Sequence, residues 1–132
     1  MSEKDPFRTP RILIVEDEQV VAMDIEMQLL AFGYEVTGIV RTGKEALCLA
    51  ETTCPDLVLM DVQLRGALDG IATAEEMQRV RKVPVVFVTA FGNEEARRRA
   101  ESVSPSGYLT KPYRPEDLQD VVTAALQPQR SR

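Results

Sequence analysis

The chain alternates between short apolar runs and longer stretches whose apolar residues recur every three or four positions. The runs are Ile12 to Val15, Val36 to Val40, Leu57 to Met60 and Val85 to Val88, with a weaker one at Gly107 to Thr110. They are β-branched or aromatic and continuous rather than alternating, and Pro10, Pro55 and Pro84 introduce three of them, which predicts strands buried on both faces. Such strands need helices above and below. From Asp17 to Phe32, Val21, Ile25 and Leu29 repeat at helical spacing, with Asp17 placed to cap the start and Gly33 to end it. Thr42-Gly43-Lys44-Glu45 reads as a capping box ahead of Ala46, Leu47 and Ala50. Ile71, Ala74, Met77 and Val80 mark a third helix. Asn93 can cap a fourth, which turns Ala96, Ala100 and Val103 inward and leaves Arg97, Arg98 and Arg99 largely outside. Pro115 suits the first turn of a fifth, carrying Leu118, Val121, Val122, Ala125 and Leu126.

Five strands alternating with five helices predict an α/β fold, a parallel sheet wrapped by helices through right-handed crossovers. One domain is expected over residues 11–127, with 1–10 as an extended or disordered N-terminal segment and 128–132 as a polar tail. The 132 residues suffice to bury a core without a disulfide or structural metal. No histidine is present, which removes Ser-His-Asp and Cys-His catalysis, histidine-ligated zinc and any role as a histidine phosphodonor. A net charge of -5 is the wrong sign for a generic nucleic-acid binder. Cys48 and Cys54 have no zinc or CxxC spacing and read as reduced thiols, packed or nearly so. No apolar run approaches signal-peptide or membrane-spanning length, so a cytoplasmic protein that engages neither membrane nor nucleic acid is expected.

In open α/β sheets ligands bind beyond the carboxyl ends of the strands. The residues there are Glu16 and Asp17 after the first run, Asp61 after the third, Thr89 after the fourth and Lys111 after the fifth. Each has an ordinary reading taken alone: a helix cap, a loop acid, a satisfied hydroxyl, a surface charge. Together, three carboxylates at one sheet edge repel one another unless a cation compensates. With Lys111 they leave a formal -2, which one Mg²⁺ would neutralise, and oxygen-only donors suit that ion. If Asp61 attacks as a carboxylate nucleophile it becomes an acyl phosphate, whose added charge Mg²⁺, the Lys111 ammonium and the Thr89 hydroxyl can hold.

At these residues the sequence resembles the receiver domains of two-component response regulators. The resemblance rests on Ile12-Leu13-Ile14-Val15-Glu16-Asp17-Glu18, Pro55-Asp56-Leu57-Val58-Leu59-Met60-Asp61, Asp69-Gly70, Val88-Thr89-Ala90 and Gly107-Tyr108-Leu109-Thr110-Lys111-Pro112, in that order over residues 11–127. It implies a doubly wound, flavodoxin-like sheet in the order 2-1-3-4-5. It implies further that Asp61 is the phosphoacceptor, Asp17 a direct Mg²⁺ ligand, Glu16 an acid acting directly or through water, and the Val62 carbonyl the remaining protein ligand. Thr89 and Lys111 would contact the phosphoryl oxygens, the Lys111-Pro112 bond would be cis, and Tyr108 would turn inward as Thr89 moves. The donor would be a sensor histidine kinase or a histidine phosphotransfer protein. A downstream protein or a second copy would read the face made by the fourth helix, fifth strand and fifth helix. Such a domain is no enzyme beyond its own phosphorylation and autodephosphorylation.

Several positions depart from the family's commonest pattern. Glu16 replaces an aspartate, Arg65 stands where many receivers have proline, and the stretch from Asp61 to Asp69-Gly70 is one residue longer. Gln63 and Phe91 occupy positions that tune water access, and a bulky Phe91 is expected to shield the phosphate. Met1 and the short ends favour a stand-alone receiver over a fragment. Two other readings remain. A receiver-fold interaction domain would work without phosphorylation, although it has no need of three clustered acids. An Mg²⁺-dependent aspartyl phosphatase would want Asp-x-Asp after the first strand and a cap segment; this chain has Glu16-Asp17-Glu18 and no spare residues.

Overall fold

The computed structural model describes residues 8–127; the expected tail at 128–132 and most of the N-terminal segment lie outside them. Five strands form one parallel sheet in the order β2-β1-β3-β4-β5: β1 Arg11–Val15, β2 Glu35–Val40, β3 Leu57–Asp61, β4 Val85–Ala90 and β5 Gly107–Lys111. The expected doubly wound order is therefore present. Each of the last three strands runs further than its apolar run. Asp61 and Lys111 end β3 and β5 and Thr89 lies within β4, so the ladder itself holds these side chains.

Alternation along β1 sends Ile12 and Ile14 to one face and Leu13 and Val15 to the other. The first face is covered by α1 (Gln19–Ala31) and α5 (Pro115–Ala125), which bury Ala22, Ile25, Leu29, Leu118 and Val122. The second is covered by α2 (Gly43–Thr53), α3 (Gly70–Val80) and α4 (Glu94–Ala100), which bury Ala46, Ile71, Ala74, Met77 and Ala96. β1, β3 and most of β4 are buried on both faces, as continuous apolar runs require. β2 is not. It is an edge strand, exposed at Glu35 and half-buried from Val36 to Val40, and its Thr37 and Gly38 already broke the apolar run.

The helix ends show where local patterns hold and where tertiary demands override them. Thr42 Oγ1 accepts the Glu45 N–H, while the Glu45 carboxylate accepts from Arg41 rather than from Thr42, a capping box shifted by one residue. Asp69 and Asn93 cap α3 and α4 through the Ala72 and Ala96 N–H groups. Asp17 does not cap α1: the helix begins at Gln19 with Glu18 as N-cap, without a side-chain hydrogen bond, so Asp17 stands one residue outside the cap position, its carboxylate near Arg65. The inward stripe of α4 runs on through a 3₁₀ turn, Glu101–Val103, to keep Val103 buried. Val80 is 69% exposed. Nine residues from Ile71 at roughly 100° per residue put it on the opposite side of α3, so a strict three-residue stripe drifts out of the core.

A further expectation is corrected. Cys48 and Cys54 are free thiols as read, but both are exposed: Cys48 faces outward from α2, and Cys54 is its left-handed C-cap. Helix α1 carries a second apolar stripe, in which Val20, Met23, Met27 and Leu30 lie outward behind the buried Ala22, Ile25 and Leu29. Within the segment expected to be extended or disordered, Arg8 reaches Asp56 and the Pro10 carbonyl accepts from Glu35. Among the described residues no helix is long and apolar enough to cross a membrane.

Candidate functional site

The three acids are delivered by backbone geometry. Asp61 is the last residue of β3, and Glu16 and Asp17 follow β1 beside it in the sheet, with the Glu16 N–H held by the Val40 carbonyl. Glu16, Asp17 and Asp61 each place a carboxylate oxygen within 4.8 Å of the others. From β5, Lys111 Nζ stands 3.7 Å from Glu16 Oε1 and 3.8 Å from Asp61 Oδ2. Four of the five predicted polar positions therefore meet, and Thr89, in register with Thr110 next to Lys111, lies at the same carboxyl end of the sheet. Gly70 closes the floor, since the start of α3 packs so tightly on the end of β3 that a Cβ there would collide with the Asp61 main-chain oxygen.

Burial makes two of these acids, Glu16 and Asp61, costly when ionised. Glu16 is only 2% exposed; its Oε2 accepts the Glu18 N–H, while Oε1 has no hydrogen-bond partner among the described residues. Burial, then the neighbouring Asp61 charge, push its carboxyl up to about 7. Asp61 is also pushed above the usual carboxylate range, chiefly by burial, against the opposing Gln63 N–H bond to its Oδ1 and the Lys111 charge. Thr89 Oγ1 is also buried, and it has no hydrogen-bond partner among the described residues. Unsatisfied oxygens of this kind, next to one ammonium, form a ready place for a hard cation and for a group that accepts a hydroxyl hydrogen bond.

The main-chain oxygens near Asp61 differ. The Val62 carbonyl already accepts the Gly70 N–H at 2.9 Å, whereas the Gln63 carbonyl receives no hydrogen bond among the described residues. Tyr108 is half-buried, with its ring beneath the Arg97 guanidinium at 4.3 Å and its hydroxyl 3.3 Å from Glu101 Oε2. Lys111-Pro112 is cis. Phe91 does not cover the site: it is 84% exposed, on the rim of an open cleft with Tyr108 and Lys111.

Two residues near the acids carried no role in the sequence reading. Arg65 Nε lies 3.4 Å from Asp17 Oδ2, a contact across the β3–α3 loop that no periodicity announces. Tyr113 follows the cis proline, and burial, with Asp24, Glu16 and Asp61 as negative neighbours, pushes its phenol up to about 12. Tyr113 directly follows Lys111-Pro112 in the chain, but nothing local says that it packs against the apolar face shared by α1 and α5.

The family described as Response regulator receiver domain matches residues 12–123. The chain is 40% identical over 116 residues to Transcriptional regulatory protein PdtaR of Mycobacterium tuberculosis, covering 88% of this chain and 56% of that one. It is 36% identical over 116 residues to Phyllosphere-induced regulator PhyR of Methylorubrum extorquens, covering 87% and 43%. The chain thus spans about half the length of these relatives. Among solved structures, the signal receiver domain of a modulated diguanylate cyclase from Desulfovibrio desulfuricans G20 superposes with a TM-score of 0.84 at 37% identity, over 90% of this chain and 94% of that one. The receiver domain of NtrX from Brucella abortus gives 0.82 at 29% identity, over 87% and 97%.

Proposed function

This chain belongs to the response regulator receiver domain family of two-component systems, and on that premise we propose that Asp61 accepts a phosphoryl group and that the acids beside it hold Mg²⁺. The observation that carries the reading is the cluster itself: three carboxylates within 4.8 Å, two of them buried, with an orphaned Glu16 oxygen and one lysine. The donors are all oxygens, which fits Mg²⁺. Asp17 and Asp61 would hold it, Glu16 would do so directly or through water, and a main-chain oxygen after Asp61 would complete the protein donors. Of Val62 and Gln63, the Gln63 carbonyl is the unengaged one. Bound there, the cation would neutralise charge that develops on the phosphoryl oxygens.

The transfer balances simply. An Asp61 carboxylate oxygen forms a bond to phosphorus as the P–N bond of a phosphohistidine donor breaks, and the electron pair leaves with the imidazole nitrogen, which takes up a proton. Lys111 and the unpartnered Thr89 hydroxyl then face the new phosphoryl oxygens. Drawing Thr89 toward them frees room behind it for Tyr108, whose outward position is held by Arg97 and Glu101. The α4, β5 and α5 face changes with it and is read by a downstream protein or a second copy.

The donor is a sensor histidine kinase or a histidine phosphotransfer protein. The outer stripe of α1 supports a protein partner at this edge: Val20, Met23, Met27 and Leu30 follow a three-four-three spacing suited to a helix, flanked by Asp24 and Glu26 with no basic residue in α1. The domain carries out no turnover beyond its own phosphorylation and hydrolysis, and works in the cytoplasm.

Intact-protein mass spectrometry after incubation with acetyl phosphate tests the reading. A gain of one phosphoryl group that needs Mg²⁺ and disappears in Asp61→Asn is the expected result. No gain from acetyl phosphate or from a phosphohistidine protein would overturn it in favour of an unphosphorylated interaction domain.

A further inference from the structure

Arg65 stands on the loop between β3 and α3, behind the buried Leu64 and ahead of Gly66, whose φ is +103. A Cβ on Gly66 would meet nothing within 4 Å, so the loop is anchored on one side and turned into solvent on the other. From that turn the Arg65 side chain, 85% exposed, reaches back to Asp17, the least buried of the three acids.

Charge gives the contact a role. Three ionised carboxylates and the Lys111 ammonium leave a formal -2, and Arg65 reduces this to -1. A divalent cation arriving with Arg65 still on Asp17 would overshoot to +1, whereas its arrival with Arg65 displaced leaves the edge neutral. Once Asp61 carries a phosphoryl group of about -2 in place of its own charge, the balance returns to about -1, which a released guanidinium can again offset.

We propose that Arg65 is a resident counter-ion on Asp17 that a divalent cation must displace, so that this loop residue sets the metal affinity of the site. The inference rests on the reading of the acids as a Mg²⁺ site. An exposed ion pair is weak and salt-sensitive, so removing Arg65 should tighten binding by roughly two- to fivefold at low ionic strength, with the difference shrinking as salt is added.

The experiment is a Mg²⁺ titration of the metal-free protein, followed by NMR shifts at pH 8 and low salt, for wild type, Arg65→Gln, Arg65→Lys and Arg98→Gln. Arg98 pairs with Glu95 on α4 and controls for net charge alone. The expected pattern is tighter binding in Arg65→Gln, with Arg65→Lys and Arg98→Gln close to wild type. Equal affinity in Arg65→Gln and wild type overturns the inference, and so does equal tightening in Arg98→Gln. Asp17→Asn separates the two levels: wild-type binding lost in Asp17→Asn but indifferent to Arg65 sinks this inference alone, while a wild type that binds no Mg²⁺ sinks the functional reading beneath it.

Discussion

Asp56 and Asp61 stand five residues apart at the two ends of one strand, both buried, and the protein treats them in opposite ways. At the amino end, Asp56 Oδ1 pairs with Arg8 at 2.7 Å and Oδ2 accepts the Arg11 N–H at 2.8 Å. At the carboxyl end, Asp61 has one N–H bond, a lysine at 3.8 Å and two other acids for neighbours. A buried carboxylate with its partners in place contributes to the fold. One left short of partners stores a demand for a cation, which is what a binding site needs. The identity of the residue does not tell the two apart; its surroundings do.

The largest expected effect breaks this contrast directly. Asp56→Ala strands the Arg8 guanidinium and the Arg11 N–H and should cost about 3 kcal/mol. Asp61→Asn relieves repulsion among the acids and should leave stability equal or higher. Urea unfolding of the metal-free proteins at pH 7.5 compares them, and similar losses in both would mean that the two ends are not different in kind.

Next in size is Lys111→Ala, which removes the only ammonium beside Glu16 and Asp61 among the described residues. Phosphorylation by acetyl phosphate should slow about a hundredfold, the usual loss when one preorganised charge is taken from a reacting oxyanion. The fold should survive, since the ammonium makes only long contacts. An unchanged rate would remove Lys111 from the chemistry.

Much of this was legible in the chain because it is local. Apolar runs bounded by proline become buried strands, caps stand where Thr42 and Asn93 announce helices, and acids follow strands in the order the sheet demands. What was hidden depends on contacts between segments. Asp17 has the sequence of a cap, but the helix takes Glu18 as its N-cap and leaves Asp17 with the acids Glu16 and Asp61 and with Arg65 across a loop. The second stripe of α1 was written in Val20, Met23, Met27 and Leu30, but a helix apolar on two sides does not say which side the sheet will take. The exposure of Val80 follows from helical phase, which a three-residue spacing conceals.

A smaller effect concerns pH. The Glu16 carboxyl rises from 4.5 to about 7 on folding, so between those values the folded chain holds more proton than the unfolded chain. Stability of the metal-free protein should therefore fall as pH rises from about 4.5 to about 7, and Asp61, raised in the same direction, adds to the slope. Glu16→Gln should flatten it. Saturating Mg²⁺ should flatten it as well, because the cation rewards the ionised form. A slope that is unchanged in Glu16→Gln would place the titration elsewhere.

The smallest effect is carried by one hydroxyl. Thr89 Oγ1 is buried without a partner among the described residues, so Thr89→Val, which keeps the shape and drops the oxygen, should stabilise the metal-free protein by about 0.5 kcal/mol. The same change should slow phosphorylation, because the hydroxyl is then missing where the phosphoryl oxygens would accept from it. A loss of more than 1 kcal/mol would show that the hydroxyl has a partner in the resting fold, such as an ordered water. Opposite signs for stability and phosphorylation at Thr89, set against the plain loss at Asp56, would mark the carboxyl end of the sheet as a region whose polar atoms are held for a group that arrives later.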